Sequence, residues 1–336
     1  MDIDVSALRS LVVQRDLSLD VVVASIEEAL LVAYRHTPHA AERARVELDR
    51  STGHVVVWAA EVNESGHVVG EYDDTPADFG RVAATTARQV LRQRLLEVTD
   101  AATVDQFSAK VGELVSGPIQ QGRDRSRIQV DLGGGIEGTI PPGEQVPGED
   151  YSHGRRIKAI VTEVKRGPKG PIITLSRSHP DLVRRLFALE VPEIADGTVE
   201  IAGIAREAGH RSKMAVRTAA AGVNPKGACI GPMGQRVRSV TSELDGEKID
   251  IVDYDEDPCA YVRNALSPAK VVSVELVDAD TRSTRVIVPD YQLSLAIGRD
   301  GQNARLAARL TGCRIDIRSD DADQGDSAHP SDAAER

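Results

Sequence analysis

Ile230-Gly231-Pro232-Met233-Gly234-Gln235 and Ile297-Gly298-Arg299-Asp300-Gly301-Gln302 are the stretches that decide how this chain folds. They lie 67 residues apart, about one small domain, and each is wedged between apolar runs with helical spacing. A glycine-x-x-glycine turn between two helices lets a phosphodiester backbone approach with no Cβ in the way. The helix behind it presents free N–H groups and the positive end of its dipole to a phosphate. One such tetrad arises often by chance, but two in matching surroundings are far more specific.

The surroundings do match. Before the first tetrad, Thr198 to Ala205 and Ser212 to Thr218 read as strands about the turn Glu207-Ala208-Gly209-His210, and Asn224 to Ile230 reads as a short helix. After it, Val237, Val240 and Leu244 recur at helical spacing, Gly246 ends the helix, and Lys248 to Val252 reads as a strand. The second copy repeats the order. Lys270 to Val277 and Thr284 to Val288 are strands about Asp278-Ala279-Asp280, Gln292 to Ile297 is the short helix, and Asn303 to Leu310 is the helix behind the tetrad. Gly312 caps that helix and Cys313 to Ile317 closes the unit. Lead helices, Pro180 to Leu189 and Pro258 to Leu266, open the two copies. This is an internal repeat of a helix–strand–strand–helix–helix–strand unit. It is the order of a type II KH domain, whose tetrad clamps about four nucleotides of single-stranded nucleic acid. The join between copies, Val252 to Asp257, is short and favours a fixed relative orientation, so the pair is expected to cover roughly eight nucleotides or more.

At 336 residues the chain suits two to four domains. No run approaches 18 uncharged apolar residues, and the acidic start Met1-Asp2-Ile3-Asp4 is not that of a signal peptide, so neither a membrane nor secretion is expected. Three cysteines far apart (Cys229, Cys259, Cys313) argue against a disulfide framework and a zinc site and fit a reducing cytoplasm. His36 and His39 flank a helix end with no third ligand nearby, and no metal or cofactor is expected. The net charge of −11 divides unevenly: −8 over residues 1–108, +3 over 109–180, −1 over 181–318 and −5 over the tail. The acidity is therefore concentrated away from the repeat, which suits an N-terminal module facing a protein partner as well as it suits a solvated surface.

In residues 1–108, amphipathic helices are expected near Val5 to Val13 and over Leu19 to Arg35. Val46 to Leu48 and His54 to Val62 form a hairpin about Ser51-Thr52-Gly53, residues 63–75 read as an acidic loop, and a helix runs from Phe79 to about Glu97. Residues 109–179 change character. Five short β-branched runs (Glu113 to Val115, Arg127 to Leu132, Glu137 to Ile140, Arg156 to Val164, Ile172 to Leu175) indicate a small OB-type barrel. Within it Gly133-Gly134-Gly135-Ile136-Glu137-Gly138 satisfies the dinucleotide pattern, but Pro141-Pro142 cannot open the helix that the pattern requires, so it reads as a turn between strands. No P-loop, nucleophile elbow or H-E-x-x-H is present, and Asp320-Asp321-Ala322-Asp323 lacks calcium-loop spacing and reads as part of an acidic disordered tail, 319–336.

An acidic α/β domain, an OB-type barrel and two KH units in this order resemble the NusA family of bacterial transcription elongation and termination factors. The specific stretches are Ile172 to Pro180, Asp181 to Phe187 with Val191 to Ile194, Gly246 to Val252, Asn264 to Ala269, and Ala296 to Gly298 with Gln302-Asn303. The resemblance implies an α+β multidomain, non-enzymatic, monomeric cytoplasmic protein. Its parts would be an N-terminal domain that binds RNA polymerase core (1–108), an S1-type OB barrel (109–179), two tandem type II KH domains (180–256 and 257–318) and the tail. It further implies contacts with single-stranded nascent RNA and with other Nus-type elongation factors, and a role in pausing, termination and antitermination. A ribosome-associated RNA scaffold or an RNA-decay subunit is the alternative, although the chain has no room for the decay enzyme's large catalytic domains.

The residues expected at the RNA are Gly231, Pro232, Met233, Gly234, Gln235, Arg236 and Arg238 in the first unit, and Gly298, Arg299, Asp300, Gly301, Gln302, Asn303 and Arg305 in the second. Three features depart from the family pattern. The first tetrad has Pro232 and Met233 where a basic residue is usual, leaving its charge to Arg236 and Arg238. Asp300 puts a carboxylate near the phosphate path, and Tyr151 is the barrel's only aromatic residue, so the barrel is expected to contribute weakly. Bulky acidic residues in place of Arg299 and Asp300, or of Gly298 and Gly301, are expected to abolish RNA binding without unfolding the domain.

Overall fold

The computed structural model describes residues 3–6, 9, 18–38, 40–63, 67–77, 79–122, 124, 126–168 and 170–321. The chain divides into two compact units, one built from residues up to Gln106 together with Arg166–Pro171, the other from Phe107–Lys165 and Ile172 onward.

In the first unit, α1 (Leu19–Arg35) lays Val22, Val23, Ile26, Leu30 and Tyr34 against the sheet β1 (Ala44–Leu48), β2 (Val55–Val62), β3 (Val68–Asp73), with α2 (Phe79–Ser108) completing the core through Phe79, Ala83 and Ala87. The apolar residues of α1 recur at helical spacing and the strand β2 alternates buried and half-buried positions, which is why these two elements are legible in the sequence. Two expectations are corrected. The expected acidic loop over 63–75 contains the strand β3, an edge strand exposed along nearly its whole length, so neither face carries the apolar alternation that marks a strand. The helix expected to end near Glu97 continues to Ser108, because no glycine or proline interrupts it before Gly112. Most of the helix expected over Val5 to Val13 lies outside the described residues.

The second unit begins with the closed five-stranded barrel β4 (Leu114–Gln120), β5 (Ile128–Asp131), β6 (Glu137–Ile140), β7 (Arg156–Gly167) and β8 (Gly170–Ser176), in the order β4-β5-β6-β8-β7. Its core is Ile119, Val130, Ile140, Ile157, Val161, Ile173 and Leu175, joined by Phe107. Gly133, Gly134 and Gly135 all have positive φ in the β5–β6 turn, a conformation that requires glycine and that opens no helix.

Two KH units follow with one topology. The first runs α3 (Pro180–Glu190), α4 (Pro192–Ala195), β9 (Glu200–Glu207), β10 (Arg211–Arg217), α5 (Pro225–Ile230), α6 (Gln235–Glu243), β11 (Lys248–Asp253). The second runs α7 (Pro258–Ala265), β12 (Ser273–Asp278), β13 (Ser283–Val288), α8 (Asp290–Ile297), α9 (Gln302–Thr311), β14 (Arg314–Ser319). In each, the middle strand pairs antiparallel with the strand before it and parallel with the last strand of the unit. Helix starts are set locally. Proline stands at the first position of α3, α5 and α7, and the side chains of His179, Asn224 and Asp257 accept backbone N–H groups there. Of the tail expected from residue 319, Ser319 instead closes β14 and the Asp320 carboxylate accepts the Asp290 N–H at 3.1 Å. Residues 322–336 lie outside the described residues.

Buried charge joins barrel to first KH unit. Arg177, fully buried, pairs with Glu149 and donates to the carbonyls of Lys158 and Glu243, each at 2.8 Å. Arg206 and Glu247, equally buried, pair at 2.9 Å, and Glu247 also accepts from Gly209 N–H and Ser212 Oγ. Helix α9 packs on β9 and β10, with Leu310 and Tyr261 against Ala202, Ala215, Val252 and Tyr254. Lys213, buried in the first KH unit, donates to Asp250 at 3.0 Å and to the Ser267 carbonyl of the second KH unit at 2.7 Å. Breaking any such buried pair from one side leaves an uncompensated charge and costs about 3–5 kcal/mol.

Candidate nucleic-acid interface

Both tetrads take the same backbone path. Gly231 and Gly298 have φ/ψ of 73/173° and 76/170°, Met233 and Asp300 have 50/25° and 52/28°, and Gly234 and Gly301 have 75/17° and 72/13°. The third member is left-handed in both units, a conformation that costs a side chain with a Cβ about 1–2 kcal/mol. The last glycine then serves as N-cap of α6 and of α9, leaving the first N–H groups of each helix beside an open turn. Met233 stands at the tip with 93% of its surface exposed, and Pro232, Arg299 and Asp300 are at least partly exposed as well.

Each first glycine is required by what lies behind it. A Cβ on Gly231 would come within 2.6 Å of Arg236 Cγ, and one on Gly298 within 2.8 Å of the Asn303 backbone nitrogen. Arg236 and Asn303 hold equivalent positions, the second residue of the helix behind the tetrad. Arg236 donates to the Ala228 carbonyl at 2.7 Å and pairs with Glu193 at 2.9 Å. Asn303, with no exposed surface, donates through Nδ2 to the carbonyls of Ala296 at 3.0 Å and Leu266 at 3.1 Å. Both side chains therefore brace the tetrad from behind. Of the expected RNA contacts, Asn303 is corrected, since it lies inside the domain, while the Arg236 guanidinium is tied to its own unit through one NH group and stays partly exposed. The close approach of Asn303 also corrects the expectation that Gly298 can be replaced without disturbing the fold.

The remaining cations sort in the same way. Arg305 donates Nε to Glu207 at 2.6 Å and an NH group to the Asp300 carbonyl at 3.1 Å, while Gln302 donates to Glu207 at 2.9 Å. Glu207 is held below the usual carboxylate range, first by the Arg305 hydrogen bond and also by Gln302. The side chains of Arg238 and Arg299 have no hydrogen-bond or ion-pair partner among the described residues. The guanidinium of Arg238 lies beside Gly234, 3.4 Å from where its Cβ would stand. Each clamp thus keeps one unpaired arginine, and the first is less poor in charge than its Pro-Met pair suggests. The carboxylates Glu193 and Glu207, which decide this, had no signal in the sequence beyond a turn and a helix start.

The barrel's Tyr151 is half-buried against the barrel core. Its hydroxyl donates to Glu149 at 2.6 Å and accepts the Val146 N–H at 2.9 Å. Cys229 is buried and its thiol is pushed up to about 12 by burial. Among the described residues no group of three or more His, Cys, Asp or Glu could hold a metal ion, and no helix is long and apolar enough to cross a membrane.

Comparison with known proteins follows the same outline. The sequence matches the families described as NusA N-terminal domain over residues 5–65, NusA-like first KH domain over 177–254 and NusA-like second KH domain over 258–324. It is 58% identical to the transcription termination/antitermination protein NusA of Mycobacterium tuberculosis, over 95% of this chain and 94% of that protein. It is 45% identical to the protein of the same name from Bacillus subtilis, over 94% and 90%. With that of Thermus thermophilus it shares 44% identity over 76% and 65%.

Proposed function

The chain belongs to the NusA family, and we propose that it works as an RNA-binding transcription elongation factor. In this reading the N-terminal module, residues 1–108, docks on RNA polymerase core, and the KH pair, residues 180–256 and 257–318, holds the emerging single-stranded RNA. Pausing, termination and antitermination are then modulated by how the transcript is held. The protein acts in the cytoplasm by binding, beside other Nus-type factors, and catalyses no reaction of its own.

One observation carries the reading: two clamps of matching backbone geometry, each with an unpaired arginine, stand in one compact unit. The RNA-contacting set becomes Pro232, Met233, Gln235 and Arg238 with the backbone of Gly231 and Gly234, and Arg299 and Asp300 with the backbone of Gly298 and Gly301. Phosphates meet N–H groups and guanidiniums there, and bases lie outward, as suits a single strand. The test is co-purification of the full chain with core RNA polymerase carrying a nascent transcript, with crosslinks from the RNA to both tetrads. Co-sedimentation with ribosomes in place of polymerase, or phosphate-dependent loss of the RNA, would contradict it.

A further inference from the structure

We propose that Glu207, in the first KH unit, is a positioning residue that fixes the orientation of the second clamp relative to the first. The inference rests on the RNA-binding reading above and extends it to how the two clamps act together. Glu207 ends β9, its side chain is 17% exposed, and it accepts from two residues of the first turn of α9, Gln302 at 2.9 Å and Arg305 at 2.6 Å, with Arg309 3.9 Å away. Arg305 carries the link into the tetrad itself through the Asp300 carbonyl.

The first tetrad supplies an internal control. Gln235 and Arg238 stand where Gln302 and Arg305 stand, have no such partner among the described residues, and yet their tetrad has nearly the same dihedral angles. Local turn geometry therefore does not need the bracket, and what the bracket adds is a tie between units. Helix α9 is held at its far end by Leu310, packed with Tyr261 against Ala202, Ala215 and Val252 of the first unit. These contacts and the Lys213–Ser267 hydrogen bond hold the body of the second KH unit, and Glu207 adds a tie at the end of α9 that carries the tetrad. A strand that already occupies one clamp then meets the other at a fixed distance and angle, so the second contact forms at high effective concentration. The pairing also withdraws Arg305 from the RNA, which leaves Arg299 as the cation of the second clamp.

The experiment compares full-length wild type, Glu207→Ala, Glu207→Gln and the exchange E207R/R305E. Each is titrated with fluorescent single-stranded RNAs of about five nucleotides, enough for one clamp, and about twelve, enough for both. Glu207→Ala is expected to bind the long RNA about three- to tenfold more weakly and the short one within about twofold of wild type, and the exchange to restore the long-RNA affinity. Glu207→Gln keeps the side-chain shape and is expected to lose about two- to threefold on the long RNA alone, which keeps the test sound should Glu207→Ala lower the thermal midpoint. Equal loss on both RNAs, no loss on either, or tighter binding of the long RNA would overturn the proposal. Failure of wild type to bind either RNA would remove the underlying RNA-binding reading instead.

Discussion

Arg236 and Asn303 stand 67 residues apart in the chain and in the same place in two domains. Each lies behind the first glycine of its tetrad and donates to a carbonyl in the last turn of the helix before it. A charged, half-buried side chain tied to Glu193 does in one unit what a neutral, fully buried amide tied to Leu266 does in the other. The turn they support is open to solvent, so these residues set the shape of each tetrad from behind.

Stability should therefore report on them first. Asn303→Ala leaves the Leu266 and Ala296 carbonyls buried without that donor and is expected to destabilise by about 2–3 kcal/mol. Arg236→Ala, which loses a partly exposed pair and one hydrogen bond, is expected to lose about 1–2 kcal/mol. Urea titration of the full chain measures both. An Arg236→Ala protein of unchanged stability but weakened RNA binding would return Arg236 to the interface.

Met233 and Asp300 take the left-handed conformation that glycine adopts freely. Met233→Gly is expected to be neutral to stabilising by up to about 1 kcal/mol, relief of the turn outweighing the added freedom of the unfolded chain. Asp tolerates the region better, so Asp300→Gly should gain less. Asp300→Asn, which removes the carboxylate from the phosphate path and keeps the side-chain size, should raise RNA affinity about two- to fivefold at low salt, with the difference shrinking as salt rises. A loss of affinity on Asp300→Asn would mean that the carboxylate contacts the RNA favourably.

Acid should release the tie between the two KH units. Glu207 is held below its unfolded value, about 4.3 for an ordinary glutamate. Its contribution is thus present above that value and lost as pH falls through the lower, folded one. Arg305, Arg309 and the Gln302 amide face it and remain as they are across this range. The stability difference between wild type and Glu207→Gln should be constant from about pH 5.5 to 8 and narrow progressively as pH falls below about 4.3 toward the lowered folded value. A difference that did not narrow at all on acidification below that value would show that the ion pair is not its source.

The repeat was legible because its punctuation is local. Prolines at helix starts, Asn224 and Asp257 as caps, and Gly246 and Gly312 with positive φ each act within a few residues. The edge strand β3 escaped because pairing with β2 holds it while both faces stay exposed, which leaves no alternation to read. At the site, the tetrads announced themselves, but the fate of each arginine did not. Arg238 and Arg305 are identical in kind and register. Only the approach of β9 to α9 gives one of them a carboxylate.

The most direct test of the account is the affinity of the full chain for a single-stranded RNA of about twelve nucleotides when both unpaired arginines are reversed, R238E/R299E. The expected result is a loss of more than about tenfold, a salt dependence shallower by about two phosphate contacts, and an unchanged urea midpoint. Affinity and salt slope equal to wild type in a folded R238E/R299E protein would contradict it, because no RNA would then be running across the two tetrads.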